Sequence, residues 1–315
     1  MSEMNTPTPK TPGRLYRMWD SDIAYSFRKS PLAIVSGVVA LTIVLAAVFA
    51  PLIAPTNPYD PSGLNLMDGF SRPMQENAFT GNTFLLGADN QGRDVLSTIL
   101  YGARISLFVG FSAVLFAMIL GITAGLLAGY RGGWVDALLM RIADVQLSFP
   151  SILIALLIFG VARGFIPPSQ RETMAIWVLI VAIGLSDWVQ FARVVRGATM
   201  VEKGKEYVQA ARVIGVHPVR ILLRHILPNV MGPVLVIGTI GLALAIIAEA
   251  TLSFLGVGVP PTQPSLGTLI RIGQQYLFSG EWWILLFPAV TLLALALAVN
   301  LLGDWLRDAL NPRLR

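Results

Sequence analysis

Hydrophobic and polar positions divide the chain into long apolar runs and shorter polar connectors. Six of the runs are long enough to cross a hydrocarbon core, which takes about 20 helical residues. They lie near 31–54, 105–129, 135–161, 174–191, 229–254 and 282–302. The pattern predicts an all-α membrane protein with six transmembrane helices. The third run carries Asp136, Arg141 and Asp144 in its first half, and the i, i+3 spacing of Arg141 and Asp144 predicts an ion pair along that helix. The first run follows Arg28 and Lys29, as a signal-peptide core would. Its roughly 20 apolar residues exceed the 7–15 of such a core, and Pro51 and Pro55 follow the small-residue positions where cleavage would fall. It is therefore expected to remain as an anchor. Ahead of it, Leu15, Trp19, Ile23 and Phe27 recur at helical spacing among Arg14, Arg17 and Asp20, which predicts an interfacial helix. The Thr-Pro repeats of residues 1–13 predict disorder.

The connector 192–228 is the most structured of the polar segments. Residues 205 to 214 contain no Gly or Pro, and Gly215 can take the left-handed conformation that closes a helix. Pro218 suits the first turn of a second helix, where its missing N–H costs nothing. That helix is predicted to run through Val219, Ile221, Leu222, Leu223 and Ile226 and to stop before Pro228. Its apolar side would face the bundle, with Arg220 and Arg224 on a more polar face. Ala210 and Ala211 keep the first helix thin, so a partner's surface could close over it; a solvated amphipathic loop is the plainer alternative. In the second run, Gly121, Gly125 and Gly129 follow Ala117 at spacings of four, placing small residues on one face where another backbone can approach. Packing within a bundle and a sliding, gating contact both fit that stripe.

Composition agrees with a lipid environment. Of 315 residues, 55% are hydrophobic and 13% charged, against about 25% charged in soluble domains, and mean hydropathy is +0.67. The net charge of +5 would suggest nucleic acid only with a basic patch on a soluble surface. Instead, 17 of the 23 Lys and Arg fall in the two tails and in the 130–141 and 192–228 stretches. With six spans these all lie on one side, which is the cytoplasmic side because positive charge stays inside. The remaining six occupy the connectors on the other side. Trp188, Trp282, Trp283 and Trp305 fall near predicted span ends and fit interfacial belts. The outer segment 55–103 is too long for a simple connector, and is expected to contact an external partner or to cap the bundle. The predicted organisation is a tail at 1–30, a first helix at 31–54, an outer loop at 55–103, a helical core at 104–303 and a tail at 304–315.

Candidate chemistry is sparse. The chain has no cysteine, which excludes disulfides and thiolate metal sites. His217 and His225 are eight apart with no third ligand nearby, so no metal site is predicted. No nucleophile–base pair or metalloprotease motif occurs. No Gly-x-x-x-x-Gly-Lys-Ser/Thr phosphate loop is present: Lys205 follows Gly204, but Glu206 stands where Ser/Thr is needed and Thr199 where the first Gly belongs. The chain is therefore expected not to be an enzyme and to bind no cofactor itself. Glu249, an ionisable residue in the fifth run, is a candidate for substrate contact by default. A structural pair or a wet interfacial carboxylate is the alternative. Asn300 in the sixth run is a weaker substrate-pathway candidate, or an interhelical hydrogen-bonding group.

Three segments carry a resemblance. Ala210-Ala211-x-x-x-Gly215, followed after nine residues by His225-x-Leu227-Pro228, resembles the EAA loop of ABC-importer permeases, with Gln209 in place of that family's leading Glu. Glu206-Tyr-Val-x-Ala-Ala-Arg-x-x-Gly is similar to the peptide-permease branch. Leu86-Gly-Ala-Asp89-Asn-Gln-Gly92-Arg93-Asp94, continuing to Gly102-Ala-Arg104-Ile-Ser106-Leu107, resembles the signature of dipeptide and oligopeptide permeases of the second-subunit type, and Ala248-Glu249-Ala-x-Leu252-Ser253-Phe254-Leu255-Gly256 recurs there too. The resemblance implies a five-helix permease core of the MetI-like kind plus an N-terminal helix, in the bacterial inner membrane. It implies a partner permease, two cytoplasmic ATPases that carry ATP and Mg, and an extracytoplasmic peptide-binding protein. Glu206, Ala210, Ala211, Arg212, Gly215, Pro218, Leu227 and Pro228 would then couple ATPase closure to the bundle. Nickel and glutathione importers have similar permeases, so cargo stays open. An ion-coupled secondary transporter is a more distant alternative, since such folds carry more spans and broken helices, whereas the runs here look mostly uninterrupted.

Overall fold

The computed structural model describes residues 22–60 and 63–310. Leu15, Trp19 and the Thr-Pro stretch lie outside the described residues. Helix α1 spans Asp22–Lys29. Ser30 then accepts the Ala33 N–H at 3.3 Å and begins α2, Pro31–Val48, with Pro31 in the first turn. A short α3, Ala50–Ile53, leads into the outer connector. Asp94 caps α4, Val95–Arg131, by accepting the Ser97 N–H at 2.8 Å. The 37 residues of α4 span about 55 Å at 1.5 Å per residue, well beyond a hydrocarbon core of about 30 Å. At its end Gly132 and Gly133 take φ of +66° and +56°, angles that other residues rarely adopt.

Helices α5, Gly133–Leu147, and α6, Ser151–Phe165, follow. Then come α7, Arg171–Glu202, and α8, Glu206–Val213. A single turn, α9, Pro218–Ile221, leads to α10, Leu227–Phe254. Last are α11, Leu266–Gln274, and α12, Trp283–Leu310. There is no strand among the described residues, only two isolated bridges. Among the described residues, five stretches are long and apolar enough to cross a membrane, or six if the bent pair α5–α6 counts as one span.

That pair corrects the expectation of a straight third span over 135–161. The chain turns by 97° between α5 and α6. Pro150 cannot donate an amide and disfavours helical conformation in Phe149 before it, so the helix ends there and restarts at Ser151. The predicted ion pair within α5 is corrected as well. Asp144 pairs with Arg193 at 2.5 Å, and Asp136 holds the Arg196 guanidinium through both carboxylate oxygens. Arg193 and Arg196 are one turn apart on α7, facing α5, so the carboxylates find partners across the helix interface.

The α4–α7 contact forms the spine of the bundle. A Cβ on Gly121 would lie 2.4 Å from Phe191 Cβ, one on Gly125 2.6 Å from Ala192 O, and one on Gly129 2.7 Å from Thr199 Cβ. The two backbones therefore pack with nothing between them along three turns. Two of the Trp residues near predicted span ends are buried. Trp188 is buried and its indole donates to Gln146 Oε1 at 2.9 Å, while the indole of buried Trp283 donates to Ala88 O at 3.1 Å. Each ring buries its body while its N–H is satisfied inside the protein. Trp305 stacks edge-on against Phe27, their ring centroids 5.0 Å apart, and ties α1 to α12.

Candidate functional site

The 203–229 connector is a folded unit seated on the roots of two long helices. In α8, Val208 and Ala211 point inward and join Val195 of α7, Ile221, Ile226 and Val230 in one buried cluster. The other face is open: Glu206, Ala210 and Arg212 are exposed, and Val213 and Ile214 are 86% and 76% exposed. Gly215 closes the helix at φ +81°. The Val216 N–H reaches Ala211 O at 3.0 Å and the Gly215 N–H reaches Arg212 O at 3.0 Å, the two bonds of a Schellman motif. No atom lies within 4 Å of where a Cβ on Gly215 would be, so the demand for glycine is one of conformation, not of space.

Pro218 opens α9 and the His217 ring nitrogen accepts the Val219 N–H at 3.4 Å. The second helix does not stop before Pro228, as expected, but continues into α10 through a π-helical turn at Leu222–Ile226. Pro228 has no N–H to offer the carbonyl four residues back, and the wider turn absorbs the missing bond. Leu227 is half-buried and Pro228 exposed at that junction.

A polar knot fastens the unit to the bundle. The Tyr207 hydroxyl donates to Glu202 Oε2 at 2.5 Å, Lys205 pairs with Glu202 Oε1 at 2.6 Å, and Asn229 Nδ2 reaches the Tyr207 hydroxyl and His225 O. Loss of water around the hydroxyl, and then the Glu202 carboxylate, push the Tyr207 phenol up to about 12. It therefore remains a donor across physiological pH. Lys203 donates to Gly129 O at 2.7 Å, and the Arg212 guanidinium sits 4.8 Å from the Tyr130 ring centroid, binding the unit to the end of α4 as well. Glu202, Asn229 and Lys203 were not singled out from sequence, because each acts through a partner distant in the chain. These contacts tie α8 to α4, α7 and α10 together.

At the opposite end the Leu86–Asp94 motif is a structural clamp. Asp89 Oδ1 accepts the Gln91 and Arg93 amides at 2.8 and 2.9 Å, and Oδ2 pairs with Arg93 Nε at 2.6 Å, with both side chains buried. Gly87 takes φ +83° where a Cβ would press on Trp283 at 2.7 Å. The motif thereby pins the outer connector to α4 and α12.

Glu249 is fully buried within α10, not open to a cavity. Its Oε1 accepts from Ser253 Oγ at 2.7 Å, and the hydroxyls of Ser106 on α4 and Ser265 at the start of α11 face the same carboxyl. Ser253 Oγ also takes the Val259 N–H, and Ser106 Oγ the Leu266 N–H. The carboxyl thus joins three helices and the connector between them. Asn300 is exposed on α12.

The binding-protein-dependent transport system inner membrane component family matches residues 121–315, and the N-terminal transmembrane domain of oligopeptide transport permease C matches residues 18–73. A dipeptide transport system permease protein of Alkalihalophilus pseudofirmus is 36% identical over 99% of this chain and 96% of its own. A di/tripeptide transport system permease protein of Pseudomonas aeruginosa is 36% identical over 100% and 99%. An oligopeptide transport system permease protein of Bacillus subtilis is 36% identical over 95% and 90%. Among solved structures, an inward-facing form of the MetNI methionine ABC transporter shares the fold, with a TM-score of 0.51 at 20% identity over 68% of this chain and 96% of that one. Helical spans, a thin capped connector helix and full-length similarity converge: the chain belongs to the binding-protein-dependent transport system inner membrane component family of ABC-importer permeases.

Proposed function

We propose that this chain is one membrane subunit of an ATP-driven importer of di- and oligopeptides. It would work with a second, similar permease, two ATPases that bind and hydrolyse Mg-ATP, and an extracytoplasmic binding protein. Residues 104–303 are the translocating core, 31–54 an added helix, and 55–103 an outer cap facing the binding protein. Both termini and the 192–228 connector face the cytoplasm. The observation that carries the reading is the exposed ridge of α8. Ala210 leaves it thin, Val213 and Ile214 leave it apolar, and Glu206 and Arg212 flank it with charge, while its root is locked to three spans. Exposed apolar groups rimmed by charge mark a protein contact. Gly215, Pro218, Leu227 and Pro228 shape the joint, and the peptide relatives at 36% identity support the cargo class. In proteoliposomes carrying the complete complex, uptake of a labelled dipeptide should cease on removal of ATP and survive an uncoupler. Uptake that collapses only with the uncoupler would instead indicate an ion-driven carrier.

Gly215→Val forces a β-branched residue into the left-handed region, at a cost of about 1–2 kcal/mol. It should leave the chain inserted yet lower uptake per ATP hydrolysed, while Gly215→Asn should retain most coupling. Equal coupling in all three would refute the elbow argument. Glu249 belongs to the packing of α10 against its neighbours. Glu249→Gln preserves shape and hydrogen bonding, so uptake of every tested peptide should be retained. Glu249→Ala strips the Ser253 hydroxyl of its acceptor, at about 1–3 kcal/mol, and should lower the yield of folded protein. A changed peptide preference in Glu249→Gln would place the carboxyl on the cargo path.

A further inference from the structure

Only six Lys and Arg occupy the connectors on the side opposite the coupling unit, and half of them converge. A cavity of about 150 Å³ lies where α6 ends, α7 begins and the connector after α10 turns back, lined by Arg163, Arg171, Arg271 and Glu172. Phe159 and Pro261 contribute apolar wall. No ion pair engages any of the three arginines or Glu172 among the described residues. Arg171 Nε donates to Ile166 O at 3.2 Å, which aligns its guanidinium. The Arg271 guanidinium fills the space that a side chain on Gly256 would need: a Cβ there would sit 2.3 Å from Nη1, and Gly256 takes φ +83°. The backbone is thus shaped to admit the cation.

The three guanidiniums offer a seat for an oxyanion and Glu172 a seat beside it for a cation, so the complement is a small group bearing both an oxyanion and an ammonium. Trp177, 57% exposed on α7, and Phe165, 85% exposed at the end of α6, are large aromatics of the kind found at headgroup level. We infer that the cavity holds the headgroup of an outer-leaflet aminophospholipid, with its phosphate on Arg163, Arg171 and Arg271 and its ammonium on Glu172. Guanidinium–phosphate bonds are charge-assisted, which favours a phosphate among the three arginines. The lipid's acyl chains would lie along the exposed apolar faces of α6 and α7. Bound there, it would brace the bent third span against the connector after α10.

The test is to purify the complete complex and refill it with phosphatidylethanolamine, phosphatidylcholine or phosphatidylglycerol of identical acyl chains. Retained lipid is then counted by native mass spectrometry. Wild type should retain the ethanolamine lipid in preference to the choline lipid. Arg163→Gln, a change at an exposed side chain that spares folding, and Arg271→Gln should each lower retained phospholipid about tenfold, as expected for loss of one charge-assisted contact. Glu172→Gln should keep phospholipid but lose the preference for ethanolamine over choline. Unchanged retention in both arginine variants would overturn the proposal. So would displacement of the lipid by excess dipeptide, which would make a cargo carboxylate the occupant.

Discussion

Gly125→Leu should abolish assembly of this chain in the membrane. The Cβ alone would fall 2.6 Å from Ala192 O and 2.7 Å from Val195 Cβ, and those neighbours belong to a rigid helix backbone that cannot rotate aside. Overpacking a core costs about 1–3 kcal/mol when side chains can adjust; here α4 and α7 must separate. That separation would also break the interhelical pairs of α5 with α7 and the Lys203 bond to Gly129 O. The expected result is loss of the folded species by gel filtration in detergent and rapid proteolysis. Gly125→Ala tests the same contact more gently and should retain some assembly with a lower melting temperature. Normal assembly of Gly125→Leu would show that the glycine stripe does not carry the spine.

Ile214→Asp should have the opposite signature, a normal fold with lost transport. Ile214 is 76% exposed and outside the buried cluster beneath α8, so a carboxylate there costs the isolated chain little. Against an apolar partner surface the same carboxylate would be buried without a counter-charge, which costs several kcal/mol. Each 1.4 kcal/mol is a factor of ten in affinity, so ATPase association and ATP-driven uptake should fall at least about tenfold. Val208→Asp, aimed into the buried side of the same helix, should instead unfold the connector. A pair of variants differing only in the face they alter separates docking from stability.

Much of this was readable from residue types with one dominant constraint. Gly215 answers a local need for a left-handed residue, and Gly121, Gly125 and Gly129 answer a need for close approach, so spacing alone points to them. The apolar lengths of α2, α4, α7, α10 and α12 were equally plain. Direction was not: hydropathy reports depth and says nothing of a 97° turn, although Pro150 marked where it falls. Asp144 pairs with Arg193 and not with Arg141, because a local i, i+3 pair competes with arginines on a facing helix and only packing decides. The burial of Trp188 and Trp283 is not legible in the sequence, because the hydrogen bonds to Gln146 and Ala88 that hold them are remote in the chain. Glu249 invited a functional reading because an acid in a span is costly. The serines that face it come from positions 106, 253 and 265, a convergence visible only in three dimensions.

The central claim is that the α8 ridge is where a cytoplasmic ATPase takes hold of this bundle. The chain contains no cysteine, so Ala210→Cys introduces a single thiol on the exposed ridge. In the complete complex in membranes, a short bifunctional reagent should link that thiol to an ATPase subunit, with the yield changing between nucleotide-free and ATP-bound states. A cross-link to the extracytoplasmic binding protein, or labelling by an impermeant reagent added outside sealed right-side-out vesicles, would contradict the account.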